Sequence, residues 1–236
     1  MGNRPCRLVE LAVADDPGAW SAHGFTVGDD GVCRVGGVRI RLTGGGVPGR
    51  GIVGWSLAGC TVAGDDVDGV PTTAATGAGP VPGDPPTLGD VAPDHEAPAH
   101  PNGTLAIDHV VLVTPDLDRT TAAVESLGLE ARRTREAAGG RLQRFFRLGE
   151  VILEVVGPAE PSGRGPARLW GLAFTVADLD ATAGHLDARI GPARPAVQAG
   201  RRIATLRAGD RVSVPVAFMS PEPGRPEPRS DPGHRL

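Results

Sequence analysis

The run ThrProAspLeuAsp at 114–118 returns as ValAlaAspLeuAsp at 176–180, each copy lying between a strand-like apolar stretch and a helix-like one. A repeat of this kind constrains the fold strongly, because one supersecondary unit cannot bury its apolar face alone and must pack on its copies. The upstream copy is the clearer. Alternation puts Ile107, His109, Val111 and Val113 on one strand face, and Asp108, Val110 and Leu112 on the other. Pro115 and Asp116 stop the strand and cap a helix with Leu117, Thr121, Val124 and Leu127 at helical spacing, and Gly128 supplies a left-handed stop.

Three more strands follow, Glu130 to Thr134, Arg141 to Leu148 and Val151 to Val156, the last two joined by a tight Gly149-Glu150 hairpin, so the unit reads βαβββ. The second copy opens with LWGLAFTV and has a helix stripe of Leu179, Ala183, Leu186 and Ile190 ending at Gly191. It closes with Arg201 to Arg207 and Val212 to Met219, where VPVAFMSP answers VILEVVGP. Residues 4–45 spell the order again: strand Arg7 to Ala14, a helix capped by Asp16 with Pro17 first and Gly24 as stop, then strands Phe25 to Val27, Val32 to Val35 and Val38 to Leu42. A fourth unit starts with GIVGWSLAG, continues into an AspValAspGly read as a helix start, and breaks off. Its GlyTrpSerLeuAla at 54–58 echoes TrpGlyLeuAla at 170–173. The class is therefore α+β. The expected division is a degenerate module with its truncated follow-on at 1–70, a linker at 71–104, a paired-module domain at 105–221 and a disordered tail at 222–236. The linker has almost no large apolar residue with which to offset the cost of ordering.

A net charge of -4 and only eight aromatics provide neither the basic field nor the stacking platform that nucleic acid requires. No apolar run approaches the ~20 residues of a membrane span, and no export signal opens the chain, so a cytoplasmic protein off the membrane is expected. Cys6, Cys33 and Cys60 are odd in number, widely spaced and without a CxxC, which suggests buried or idle thiols rather than a disulfide framework or a zinc site.

Repeated βαβββ modules, with a histidine in the first strand of one (IDHVV) and a glutamate in its last (VILEVV), resemble the vicinal oxygen chelate superfamily. This is the glyoxalase, bleomycin-resistance and extradiol-dioxygenase group. The resemblance covers 105–221 well and 4–70 loosely. It implies two modules paired into a curved sheet around one cavity and, in metal-dependent members, a divalent ion held by first-strand and last-strand residues of both modules. Carried onto this chain, it makes His109 and Glu154 metal ligands and Glu154 the catalytic candidate. The partner module offers only Gly171 and Ala217 at the matching positions. The N-terminal module offers positions near Val9 and at Arg41, and the truncated piece Ser56. A divalent ion on His109 and Glu154 alone would be weakly held, since catalytic sites use about three protein ligands. The alternative is a pocket histidine hydrogen-bonded to Glu154. No nucleotide cofactor is expected.

Pairing across the Gly149-Glu150 turn places Gln143, Phe145 and Arg147 on the face of Ile152 and Glu154. These, with Trp170 and Met219 of the partner module, are the candidate ligand-binding residues. Gly171, Ala173, Thr175, Pro215 and Ala217 make the partner wall small and smooth. A polar wall facing a smooth one suits a small organic molecule with an apolar body and a polar end. Loss of the partner ligands favours a binding protein, whereas the retained His and Glu favour a metal-dependent lyase or isomerase of the glyoxalase type. The eroded N-terminal unit and long linker favour a structural or interaction module. A homodimer is compatible with each. His23, His95, His185 and His234 are assigned no role and are expected to be exposed.

Overall fold

The computed structural model describes residues 5–44, 49–75, 98–209 and 211–223, which form two sheets. The first half contains β1 (Arg7–Val13), α1 (Pro17–Ala22), β2 (Val32–Val35), β3 (Val38–Leu42), β4 (Ile52–Ala58), β5 (Asp66–Val67) and β6 (Val70–Ala75). The second half contains β7 (Thr104–Val113), α2 (Leu117–Glu125), β8 (Arg133–Ala137), β9 (Arg141–Leu148) and β10 (Val151–Pro158). It continues with β11 (Arg168–Val176), α3 (Leu179–Leu186), β12 (Arg194–Pro195), β13 (Arg202–Thr205) and β14 (Val216–Met219). The orders are β2-β3-β1-β4-β6-β5 and β12-β13-β14-β11-β7-β10-β9-β8.

One rule generates both sheets. Each module's first strand pairs parallel with its own last strand, β7 with β10 and β11 with β14, and antiparallel with the first strand of its partner, β7 with β11. The first half does the same through β1 with β3, β4 with β6, and β1 with β4. The chain is thus four modules in two pairs, the second module keeping three strands and losing its helix. The helix starts follow the sequence: Asp16 accepts from the Gly18 amide, Asp116 from Arg119, and Asp178 from Asp180 and Ala181.

Several local expectations change. AspValAspGly opens no helix, because Asp68 (φ 51°) and Gly69 (φ 83°) form the two-residue turn of a hairpin between β5 and β6. Strand β6 then runs through Ala75, into the segment expected to be linker; residues 76–97 and the tail beyond 223 lie outside the described residues. Phe25 to Val27 shrinks to a single bridge between Val27 and Cys33. Helix α3 stops at Leu186 and a 3-10 turn follows, so Ile190 leaves the helical stripe and bridges to Leu206.

The sheets pack on each other through one core that joins Leu11, Val13, Ile40 and Leu57 to Val110, Leu112, Leu153, Phe174 and Phe218. Trp20 and Phe25 of the first half lie 6.3 and 5.1 Å from the ring of Phe174, and Phe25 stacks on Phe218 at 6.0 Å. Burying each such ring is worth roughly 2 to 3 kcal/mol. Hydrogen bonds cross the same boundary. Asn102 donates to the carbonyls of Gly24 and His23, the Ser213 amide to Asp15, and the Thr26 amide to the His100 ring. His23, expected at the surface, is 2% exposed, with Nδ1 2.7 Å from the Ala19 carbonyl.

The thiol expectation also fails for two of the three cysteines. The antiparallel β1–β4 ladder sets Arg7 opposite Ala58, which brings Cys6 and Cys60 together just beyond it, and they form a disulfide. Cys33 remains a free thiol, and burial pushes its pKa up to about 12. Among the described residues no helix is long and apolar enough to cross a membrane.

Candidate functional site

Strand β7 carries a β-bulge next to His109. Ile107 pairs with Phe174 and His109 with Ala173, leaving Asp108 as the extra residue. The bulge shifts the alternation read from the sequence. Ile107 joins Val110 and Leu112 in the core, and His109 turns to the opposite, inner face with Val111 and Val113. Asp108 is thereby set beside its neighbour, its Oδ1 2.9 Å from His109 Nδ1. Its Oδ2 takes Arg201 Nη1 at 2.6 Å and the Thr175 hydroxyl at 3.1 Å. Burial works against this carboxylate's charge, but the His109 hydrogen bond and the Arg201 guanidinium outweigh it and hold the pKa at about 2. A charged Asp108 can only accept, so Nδ1 of His109 is the donor, and Nε2 is the ring nitrogen turned toward Glu154.

Strand β10 alternates cleanly, with Val151, Leu153 and Val155 in the core and Ile152, Glu154 and Val156 on the inner face. Ile152 stands opposite His109, and Glu154 opposite Val111. Glu154 Oε2 lies 3.8 Å from His109 Nε2, and its Oε1 accepts from the Gln143 amide. Burial raises the Glu154 pKa, with His109 and Arg135 pulling the other way. Gln143 Oε1 is buried without a hydrogen-bond partner. Phe145 pairs with Glu154 across the β9–β10 ladder.

His109, Gln143, Phe145, Ile152 and Glu154 therefore converge. Arg147 is exposed at the hairpin end of that ladder and donates to the Glu150 carbonyl. Trp170 is the extra residue of a second bulge, between Leu169 and Gly171, and is 43% exposed. Met219 pairs with Thr175 and is 1% exposed, which leaves it no surface for a ligand. Asp108 and Arg201 went unread in the sequence as site residues, and Thr175 was read as part of the smooth partner wall rather than as a hydrogen-bond partner of Asp108. The AspHis pair was their one signal, and plain alternation assigned its two members to opposite faces.

The partner wall is bare for a steric reason. A Cβ on Gly171 would come within 3.0 Å of the Pro215 carbonyl oxygen, and Ala217 stands opposite Ala173. Donors come from one module only, and among the described residues no group of three or more His, Cys, Asp or Glu could hold a metal ion. With Gln143 Oε1 as a third, neutral oxygen, the set falls short of a complete divalent centre.

The first sheet repeats this frame with other residues. Leu8 pairs with Leu57 and Glu10 with Ser56, so Val9 is the bulge residue and Glu10, one position on from the sequence alignment, takes the place of His109. Arg39 lies opposite Glu10 and Arg41 opposite Ala12, as Ile152 and Glu154 do on β10. Gly54, rather than Ser56, takes the place of Gly171, a Cβ there coming within 3.1 Å of the Pro71 carbonyl oxygen.

Paired βαβββ modules, with a histidine and a glutamate on the first and last strands of one module, define a glyoxalase-type fold. Residues 106–202 match the family model of the Glyoxalase/Bleomycin resistance protein/Dioxygenase superfamily. Methylmalonyl-CoA epimerase from Mycobacterium tuberculosis is similar at 21% identity, over 51% of this chain and 91% of that one, with a TM-score of 0.43. A Streptomyces coelicolor methylmalonyl-CoA epimerase variant in complex with 2-nitronate-propionyl-CoA is 22% identical, over 50% and 94%, with a TM-score of 0.41. A hypothetical protein from Bacillus halodurans C-125 is 17% identical, over 51% and 96%, with a TM-score of 0.41. Among curated proteins no match is found.

Proposed function

We propose that the inner face of the second sheet binds a small organic molecule, its polar end at His109, Gln143 and Glu154 and its apolar body along the wall of small residues. The supporting observation is the asymmetry of that face. One module gathers an imidazole, an amide and a carboxyl, while the other presents Gly171, Ala173 and Ala217. His109 Nε2 accepts a proton or hydrogen bond, held in that role by Asp108 on Nδ1. Glu154, its pKa raised by burial, keeps a proton to higher pH than an exposed carboxyl and can give it up at Oε2. Such a pair suits a ligand that offers both a donor and an acceptor, such as a hydroxy or carbonyl compound.

A second reading, a divalent-metal-dependent lyase or isomerase, has one observation in its favour. His109 Nε2 and Glu154 Oε2, 3.8 Å apart, are close enough to share one ion.

The test is a thermal-shift and native mass-spectrometry screen of small hydroxy and carbonyl compounds, with and without divalent ions, on the full chain and on Ala217→Leu and Glu154→Gln. Ala217→Leu fills the smooth wall and should abolish saturable binding, and Glu154→Gln should weaken it. Binding indifferent to both variants would place the ligand elsewhere. A dependence on added metal would favour the second reading.

A further inference from the structure

We infer, on the basis of the binding site proposed above, that its ligand is an anion: a small hydroxy or oxo compound whose carboxylate or phosphate group is received by arginines of β8 and β9.

The β8–β9–β10 register gathers these arginines on the face of Glu154. Arg147 stands opposite Ile152 and Arg141 opposite Pro158, while on β8 Arg133 stands opposite Phe145 and Arg135 opposite Gln143. Arg133, Arg141 and Arg147 are exposed, and Arg135 is half-buried. Among the described residues none of them forms an ion pair. Arg135 and Arg147 donate to the carbonyls of Glu136 and Glu150, and Arg135 is near enough to Glu154 to oppose the rise in its pKa.

Strand arginines elsewhere in the chain are matched. Arg34 has Asp30, Arg41 has Glu10 and Arg202 has Asp180. Arg144, between Arg141 and Arg147 in sequence but on the opposite face of β9, has Asp118 at 2.7 Å. The whole chain has 24 basic against 28 acidic residues, so an unmatched basic face runs against its composition. Strand β8 is an edge strand, and charge there discourages a further strand from pairing. That accounts for Arg133 and Arg135 but not for Arg141 and Arg147, since β9 is enclosed by β8 and β10.

A guanidinium matches two oxygens of a carboxylate or phosphate with two parallel N–H bonds. Neighbouring strands lie about 5 Å apart, so Arg135 is one strand from Gln143 and two from Glu154. The length of an arginine side chain makes up much of that distance. The hydroxyl or carbonyl that meets His109 and Glu154 is therefore a few bonds from the charged group, as in a hydroxy or oxo acid.

The experiment is calorimetric titration of the full chain, at constant ionic strength, with sodium glycolate, with 2-phosphoglycolate and with neutral glycolamide. Saturable binding of the anions is expected, with glycolamide weaker by about tenfold or more, and comparison of the two anions assigns the preferred group. Arg135→Gln should weaken the anions by about as much and leave glycolamide unchanged. Arg164→Gln removes the same charge from an exposed residue outside this face and should change nothing. Circular dichroism checks that each variant folds. No saturable binding of either anion, or equal weakening by Arg135→Gln and Arg164→Gln, would overturn the inference. Glycolamide that binds as tightly as glycolate, with Arg135→Gln altering neither, would keep the pocket and overturn its anionic ligand. Anion binding lost in Arg135→Gln but untouched in Ala217→Leu and Glu154→Gln would keep the arginine site and overturn the pocket.

Discussion

Arg201 and Asp108 form an ion pair across the two modules of the second sheet, with Nη1 2.6 Å from Oδ2 and side chains only 3% and 9% exposed. Removing one partner leaves the other charge buried and unmatched, which typically costs about 3 to 5 kcal/mol. Asp108→Asn and Arg201→Met should each lose about that much in urea unfolding at pH 7. The double variant should recover a large part of it, giving a coupling energy above about 1 kcal/mol. The pH dependence has a definite sign. Asp108 falls from 3.8 to about 2 in the folded state, so its stabilisation is present above the unfolded value and lost as pH drops through the folded one. Between pH 5 and pH 2 the wild type should lose roughly 2 kcal/mol that Asp108→Asn does not.

Glu154 behaves in the opposite way. Its folded pKa is raised by burial, so the native state holds more protons than the unfolded chain above the unfolded value of 4.5. Stability contributed by the protonated carboxyl is therefore present below that value and lost as pH climbs through the folded pKa. Glu154→Gln keeps the volume and the Gln143 contact but has no proton to lose. Its melting temperature should gain on the wild type as pH goes from 4 to 8. A difference that stays flat across this range would mean that the carboxyl is better solvated than its burial suggests.

Metal affinity provides a third prediction, for the same two side chains. Two or three donors from one module leave most of a divalent ion's shell to water. Zinc, nickel and manganese should thus bind no tighter than micromolar, on the order of 8 kcal/mol, in calorimetric titration. Glu154→Gln should remove that binding. A tight wild-type site, or a variant that binds equally well, would mean that the ligands lie elsewhere.

The fold was legible because its signals are local. The capping aspartates Asp16, Asp116 and Asp178, the hairpin at Gly149 and the repeated AspLeuAsp each act within a few residues, and all lie where the sequence places them. What could not be read depends on pairings made far along the chain. The bulge at Asp108 exists only because β11 runs beside β7, and the partner of that carboxylate, Arg201, comes from another module. The Cys6–Cys60 bond likewise follows from the β1–β4 ladder rather than from cysteine spacing. Glu154 and His109 were legible because β10 and the run of β7 from His109 to Val113 alternate without interruption, whereas the bulge at Asp108 moves Ile107 to the core face, a shift of phase that alternation does not contain.

The disulfide gives a fourth prediction. Cys33 is buried with its pKa pushed up to about 12, and Cys6 and Cys60 are joined, so the native protein should show no thiol reactive toward a chromogenic disulfide reagent. Denaturation without reductant should reveal one thiol per chain, and denaturation with reductant, after its removal, three. The bond closes a loop with a sequence separation of 54, for which the chain-entropy relation gives about 4 kcal/mol. Cys6→Ser/Cys60→Ser should lose up to that amount. Three thiols titrating in the oxidised, denatured chain would overturn the pairing.

The last prediction concerns the two halves. In a single chain, the first sheet already covers the face of the second that a further copy would otherwise have to cover. Trp20 and Phe25 sit on Phe174 and Phe218, and Asp15, Gly24 and His23 take hydrogen bonds from Ser213 and Asn102. We therefore propose that the two sheets fold as one cooperative unit rather than as independent domains. The full chain should unfold in a single transition and run as a monomer in light scattering. A 98–236 fragment would uncover Phe174 and Phe218, apolar surface of the kind that drives association. It should aggregate or dimerise through that face. Replacing Phe174 and Phe218 with serine in the fragment should restore solubility but leave it poorly folded, whereas a stable, monomeric fragment with the native sequence would show that the first sheet is not needed to complete the core.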